Sequence, residues 1–258
     1  MRALAIAILL ASLMQVTAAD AAIVTRTVEY KAGDVELKGS LIYDDALKGP
    51  RPGVAIFPEW WGLNDRMKGV ATEVAKLGYV AFVADMYGGG KTTTDASEAG
   101  KLSGELYGKP AMRDRAIAAL EQLKAASDVD PTRLGATGYC FGGACALELA
   151  YTGADLKGVV TFHGSLPAPQ ASDQIKAAVL VCHGAADTFE TPEQIAAFQA
   201  AMEQKGVDWQ MLYFGHAVHA FTNPEAGKFK IPGVAYDEKA ARRSWMAMTA
   251  FFRGRFSR

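Results

Sequence analysis

Five short runs of this chain, Gly53–Phe57, Tyr79–Ala84, Arg133–Thr137, Gly158–Phe162 and Ala178–Cys182, are apolar almost continuously rather than at alternate positions. Strands of this kind are buried on both faces, which happens in parallel sheets sandwiched between helices. Trp209–Phe214 reads as a further strand. Ahead of them, Arg26–Tyr30 and Val35–Tyr43 alternate apolar and polar about Gly33-Asp34, the pattern of an antiparallel hairpin. The expectation is an α/β chain with a mainly parallel central sheet, an antiparallel N-terminal hairpin and helices on both faces. Of 258 residues, 50% are hydrophobic and 21% charged, ample for one large core. No repeat or linker divides residues 22–258, which are expected to form one domain.

The intervening segments carry helical periodicity. Met112, Ala116, Leu120 and Leu123 make one stripe, and Ile195, Phe198 and Met202 another. The second helix has a start signal, with Thr191 as N-cap, Pro192 in the first turn and Gln194 three residues after the cap. A last helix from about Tyr236 sets Ala241, Trp245, Met248 and Phe252 on one side. Gly88–Thr94 is the loosest stretch and is expected to be a mobile loop beside a site.

Residues 1–21 read as a secretory signal peptide: a basic start at Arg2, an apolar run from Ala3 to Met14, then small residues. The run is short for a membrane span. Export to the periplasm or medium is expected, without stable membrane insertion after cleavage. A formal net charge of −1 gives no reason to expect nucleic acid as a partner. Arginines near the C-terminus suit a solvated helix end. Cys140, Cys145 and Cys182 are an odd set, so at least one thiol is free or pairs between chains. The sequence leaves the oligomeric state open.

Ligands of parallel sheets sit beyond the carboxyl ends of the strands, so the residues that follow each strand carry the chemistry. Arg133–Thr137 runs into Gly138-Tyr139-Cys140-Phe141-Gly142-Gly143 and then a helix. This is a nucleophile elbow of the α/β-hydrolase fold, with cysteine in the nucleophile position. The helix start behind it favours a thiolate and a developing oxyanion. An acid and a base must follow in that order. Asp187, just past Ala178–Cys182, is placed for the acid, and His216 and His219, past Trp209–Phe214, both qualify as base. His163, His183 and Asp85 read as loop-fixing residues. The Phe141 N–H and a backbone N–H near Glu59-Trp60-Trp61 are placed for an oxyanion hole. No Cys-x-x-Cys or His-x-x-x-His pair is present, so neither a metal nor a cofactor is expected.

Taken together, Glu59-Trp60-Trp61-Gly62-Leu63-Asn64, Asp85-Met86-Tyr87-Gly88, the cysteine elbow, His183-Gly184 leading to Asp187, and His219-Ala220-Phe221 resemble the dienelactone hydrolase (carboxymethylenebutenolidase) family. The resemblance implies Cys140 as nucleophile, Asp187 as acid and His219 as base. It further implies that Glu59 partners the resting thiol, so that Cys140 reacts slowly without substrate, and that Trp60 and Phe141 N–H groups form the oxyanion hole. Trp61, Tyr87, Lys91 and Asn223 then become candidates for substrate contact. Two family arginines that grip a substrate carboxylate are missing: Gly88-Gly89-Gly90 and Asn223 stand at their places, with Lys91 a possible replacement for the first.

The expected activity is hydrolysis of a small-molecule ester or lactone through an acyl-thioester. The alternatives are a catalytically silent binding protein on the same fold, or a thiol-redox protein using Cys140 with another cysteine.

Overall fold

In the computed structural model, residues 22–257 are described, so the expected signal peptide at 1–21 lies outside the described residues, as does Arg258. The hairpin forms from Ile23–Ala32 (β1) and Val35–Asp44 (β2), turning at Gly33 with φ 56°. Arg51–Phe57 (β3), Val80–Val83 (β4), Val129–Tyr139 (β5), Gly158–Phe162 (β6), Ala178–Gly184 (β7) and Trp209–Phe214 (β8) follow. They make one eight-stranded sheet in the order β1-β2-β4-β3-β5-β6-β7-β8. The β2 pairings are antiparallel, and those from β4 through to β8 are parallel.

The continuously apolar runs are explained by two cores, one on each face of the sheet. Along β3, Val54 and Ile56 enter one core while Ala55 and Phe57 enter the other, the two-residue alternation of a strand. The helices are Asp65–Lys76 (α1), Ala96–Gly104 (α2), Pro110–Ala125 (α3), Phe141–Tyr151 (α4), Pro192–Gln204 (α5) and Glu238–Phe256 (α6). Apolar residues of α1 and α6 fill the first core; those of α3, α4 and α5 fill the second. Phe57, Phe82 and Phe162 are fully buried between these layers, each contributing about 1.5–3 kcal/mol by burial.

Local signals fix the helix ends. Thr191 Oγ1 accepts from the Gln194 N–H at 3.3 Å, and Gln194 Oε1 accepts from the Thr191 N–H at 2.8 Å, completing the expected capping box. The last helix starts two residues later than about Tyr236, because the Asp237 carboxylate caps it at the Ala240 N–H. Its buried stripe is Ala240, Ser244, Met248, Phe252 and Phe256, with Ala241 and Trp245 only half-buried at its border. Hydropathy hides that stripe, because Ser244 counts as polar although its hydroxyl donates to the Ala241 carbonyl.

The segment expected to be a loose loop is strapped down. Asp85 accepts from the N–H groups of Tyr87, Gly88 and Gly90 at 2.9, 2.9 and 2.7 Å, and from Lys38 at 3.0 Å. Gly89 donates to the Glu36 carbonyl at 2.8 Å, so the three glycines fold against the hairpin. Asp85 thus fixes its loop, as its position after a strand implies.

Candidate active site

Strand β5 delivers Cys140 at φ 53° and ψ −121°, a strained conformation that turns the chain directly into α4. The turn is possible only with glycine around it. A Cβ on Gly138 would lie 1.8 Å from the Gly142 carbonyl oxygen, and one on Gly142 would lie 2.1 Å from that of Phe57. Cys140 is half-buried, whereas Cys145 and Cys182 are buried, their thiols pushed up by burial. All three cysteines are free.

The loop after β8 brings His219 over the elbow. Its Nε2 lies 3.1 Å from Cys140 Sγ, and its Nδ1 lies 2.9 Å from Asp187 Oδ2. The other Asp187 oxygen accepts from the Phe189 N–H at 2.9 Å, which fixes the carboxylate. Burial alone lowers the basicity of His219, but Cys140 and Asp187 together outweigh it and push the imidazole up to about 10. Of the two candidate bases, His216 is exposed at φ 66°, whereas His219 joins Asp187 to the thiol. His163 is buried behind His219 and bonds Thr222 Oγ1 at 2.7 Å, a side chain rather than loop backbone. Burial holds His163 and His183 well toward the neutral form.

The partner that the resemblance implies for Glu59 is not the one it has. Glu59 Oε2 accepts from Asn223 Nδ2 at 2.9 Å and lies 3.5 Å from Arg66 Nη1; Oε1 has no hydrogen-bond partner, and neither oxygen bonds the thiol. Burial raises the Glu59 carboxyl, opposed by Arg66, His219 and Asn223. Arg66 also donates to the carbonyl and hydroxyl of Thr222, both at 3.1 Å, so it reaches the site from the first turn of α1. Sequence reasoning missed Arg66. Its one signal is a cation in the first turn of a helix, where the dipole disfavours it.

Phe141 opens α4, so its N–H has no intrahelical carbonyl to bond. The Trp60 N–H donates to no backbone carbonyl among the described residues. The Trp60 carbonyl is held by the Tyr87 hydroxyl at 2.8 Å.

These groups open onto a cavity of about 260 Å³ bordered by Cys140, His219, Glu59, Trp60, Phe141 and Asn223. Trp61 is on its wall, stacked on Phe229 at 4.1 Å, and Tyr107 and Phe189 add further aromatic surface. Two expected substrate contacts are elsewhere. Tyr87 stands behind the wall, stacked on Phe141 at 5.8 Å, because its hydroxyl is committed to Trp60. Lys91 is exposed and outside the cavity, because the strap holds its backbone against Gly62. Among the described residues no lysine or arginine lines the cavity. None of their His, Cys, Asp and Glu side chains form a group of three or more placed to hold a metal ion.

Comparison with known proteins gives a consistent picture. Residues 38–256 match the family model described as the dienelactone hydrolase family. A protein of Aquifex aeolicus assigned as a carboxymethylenebutenolidase is 28% identical over 233 residues, covering 88% of this chain and 96% of that protein. The crystal structure of a dienelactone hydrolase-like promiscuous phosphotriesterase from metagenomic libraries is 45% identical with a TM-score of 0.89, covering 91% of this chain and 99% of the other. A structure named m3DLH is 40% identical with a TM-score of 0.88, over 91% and 99% of the two chains.

Proposed function

Since the chain belongs to the dienelactone hydrolase family, we propose that it hydrolyses neutral esters or lactones with Cys140 as the nucleophile. The observation that carries this reading is the hydrogen-bonded run Cys140–His219–Asp187 at the edge of an apolar cavity. Cys140 Sγ attacks the carbonyl carbon, and the oxyanion that forms takes hydrogen bonds from the Phe141 and Trp60 N–H groups. As the carbon–oxygen bond to the alcohol breaks, the departing oxygen takes the proton from His219, leaving an acyl-thioester. Water then attacks that carbonyl and gives its proton to His219. The acid leaves and the thiolate–imidazolium pair is restored. Asp187 holds the imidazole in register and favours its charged form.

Neutrality of the substrate follows from the charges at the cavity. A carboxylate entering it would lose water, meet Glu59, and find Arg66 already engaged. The relative at 45% identity is named for phosphotriesters, which are also neutral, so they belong in the substrate panel. The test is a panel of esters, lactones and phosphotriesters run on wild type beside Cys140→Ala. Turnover by wild type that Cys140→Ala lacks supports the proposal; equal turnover by both defeats it. The leader-like text of residues 1–21 supports export. N-terminal sequencing of the protein recovered from the periplasm or medium tests that, an intact Met1 being the contrary result.

A further inference from the structure

Two glycines of α2, Gly100 and Gly104, border the same cavity as Cys140, and their setting differs from that of the elbow glycines. At Gly138 and Gly142 a side chain would collide with backbone within about 2 Å, so packing demands glycine there. At Gly104 a Cβ would meet nothing within 4 Å, and at Gly100 it would only touch the Trp60 ring at 3.8 Å. Neither has the positive φ that would require glycine. Both sit in a helix capped at its start by Asp95, where glycine is among the poorest formers and alanine the best. Four residues apart, they fall on one face of α2. Both glycines are exposed where they border the cavity, and no protein atom occupies the space a side chain would take at Gly104.

The surroundings say what the space accepts. Ser103, between the two glycines, turns its hydroxyl back onto the Ala99 carbonyl at 2.8 Å and so presents no free donor. Trp60 and Tyr107 flank the opening, and Ile231 and Val234 lie on the cavity wall as well. A second feature points to an occupant: Glu59 Oε1, on the same wall, is fully buried with no hydrogen-bond partner. An acceptor left unpaired in a dry site is costly unless a ligand or its water satisfies it.

We propose that the groove left by Gly100 and Gly104 is a subsite for a bulky apolar group, of aromatic-ring size, on one side of the scissile ester. The assignment rests on the hydrolase reading above and deepens it by naming a substrate feature and the residues that select it. Gly100 and Gly104 are then specificity-determining positions, acting through the room they leave.

The experiment compares wild type, Gly104→Ala and Gly104→Leu on two matched series. One varies the acyl group (p-nitrophenyl acetate, butyrate and benzoate), and the other varies the alcohol (methyl, butyl and benzyl acetate). In at least one series, Gly104→Leu is expected to lower kcat/KM for the ring-bearing member at least tenfold more than for the smallest member, with Gly104→Ala intermediate. Both variants favour the helix, so their melting temperatures should match or exceed that of wild type, which separates a filled groove from a damaged fold. A size-independent effect in both series, or no effect on any ester, overturns the subsite while leaving the hydrolase reading in place. Absence of wild-type turnover on every ester overturns the reading on which it rests.

Discussion

Asn223 and Glu59, 164 positions apart, are joined by a hydrogen bond from Nδ2 to Oε2 at 2.9 Å. The resemblance places an arginine where Asn223 stands, and here a different cation, Arg66, approaches the same oxygen from α1. Glu59 is thereby held by one hydrogen bond and one ion pair and does not cap the thiol, which faces His219 instead. Cys140 is therefore paired with His219 in the absence of any substrate.

That arrangement bears on the expectation of a sluggish resting thiol. Without substrate, Cys140 should react readily with iodoacetamide at pH 7, because Glu59 does not occupy the thiol and His219 Nε2 lies 3.1 Å from it. Glu59→Gln should change that rate less than about threefold. A slow wild-type reaction that speeds up tenfold or more in Glu59→Gln would show that the carboxylate, after all, restrains the thiol.

Substitutions in the proposed triad should separate the two histidines. Cys140→Ala and His219→Ala are each expected to lower kcat/KM about a thousandfold or more, and Asp187→Asn to be severe as well. Cys140→Ser should retain at most weak activity. His216 is exposed and touches none of these groups, so His216→Ala should stay within about threefold of wild type. Ester kinetics with circular dichroism as the fold control decide it. Loss in His216→Ala alone would reverse the assignment.

How much of this was legible beforehand depended on whether the signal was local. The five central strands, β3 to β7, announced themselves because burial on both faces requires a continuous apolar run, and the elbow because its glycines are sterically obligatory. The capping box of α5 was equally local. What escaped involved long-range pairing: nothing near Arg66 states that Glu59 and Thr222 will meet it, the latter 156 positions away. The same holds for the cavity wall. Phe189, Phe229 and Gly104 come from three separate loops or helices, and no spacing rule connects them. The glycine loop misled for a related reason, since composition alone does not reveal that Asp85 will bond the N–H groups of Gly88 and Gly90 and of Tyr87 just before them.

The charge state of His219 sets the alkaline side of the pH profile. Burial lowers it, but Cys140 and Asp187 raise it further, to about 10, so on the proposed mechanism an imidazolium able to protonate the leaving alcohol persists well above neutrality. Activity should hold from neutral pH upward and fall only as pH rises through about 10. Asp187→Asn removes a negative charge that favours the imidazolium, so whatever activity remains should lose its alkaline limb at lower pH. A wild-type limb near pH 7, or one that Asp187→Asn does not move, would contradict this account of the pair.

Substrate charge gives a further test. A missing charge-assisted contact to a buried carboxylate costs about 2–5 kcal/mol, and both family arginines are absent here. Neutral esters should therefore exceed a carboxylated dienelactone in kcat/KM by about a hundredfold or more. Lys91 is exposed and outside the cavity, so Lys91→Ala should leave both substrate types within about twofold. Efficient turnover of the dienelactone that collapses in Lys91→Ala would mean the strap opens and delivers the lysine.

The two kinds of glycine predict opposite stability effects for the same substitution. At Gly138 a Cβ would sit 1.8 Å from the Gly142 carbonyl oxygen, a backbone atom with no rotamer to escape by. Overpacking of that kind costs about 1–3 kcal/mol and sometimes more. With a shift of roughly 2–4 °C per kcal/mol for a chain of this size, Gly138→Ala should melt several degrees lower or fail to fold. At Gly104, exposed in the last position of α2, a Cβ meets nothing within 4 Å, and alanine is favoured over glycine by at most the helix-interior figure of about 1 kcal/mol. Gly104→Ala should accordingly melt no lower than wild type and at most about 2–4 °C higher, while losing efficiency on bulky esters. Thermal denaturation of both variants beside wild type distinguishes a glycine kept for the backbone from one kept for the substrate. A Gly138→Ala protein with unchanged melting and unchanged turnover would mean that the elbow is not as tight as its geometry requires.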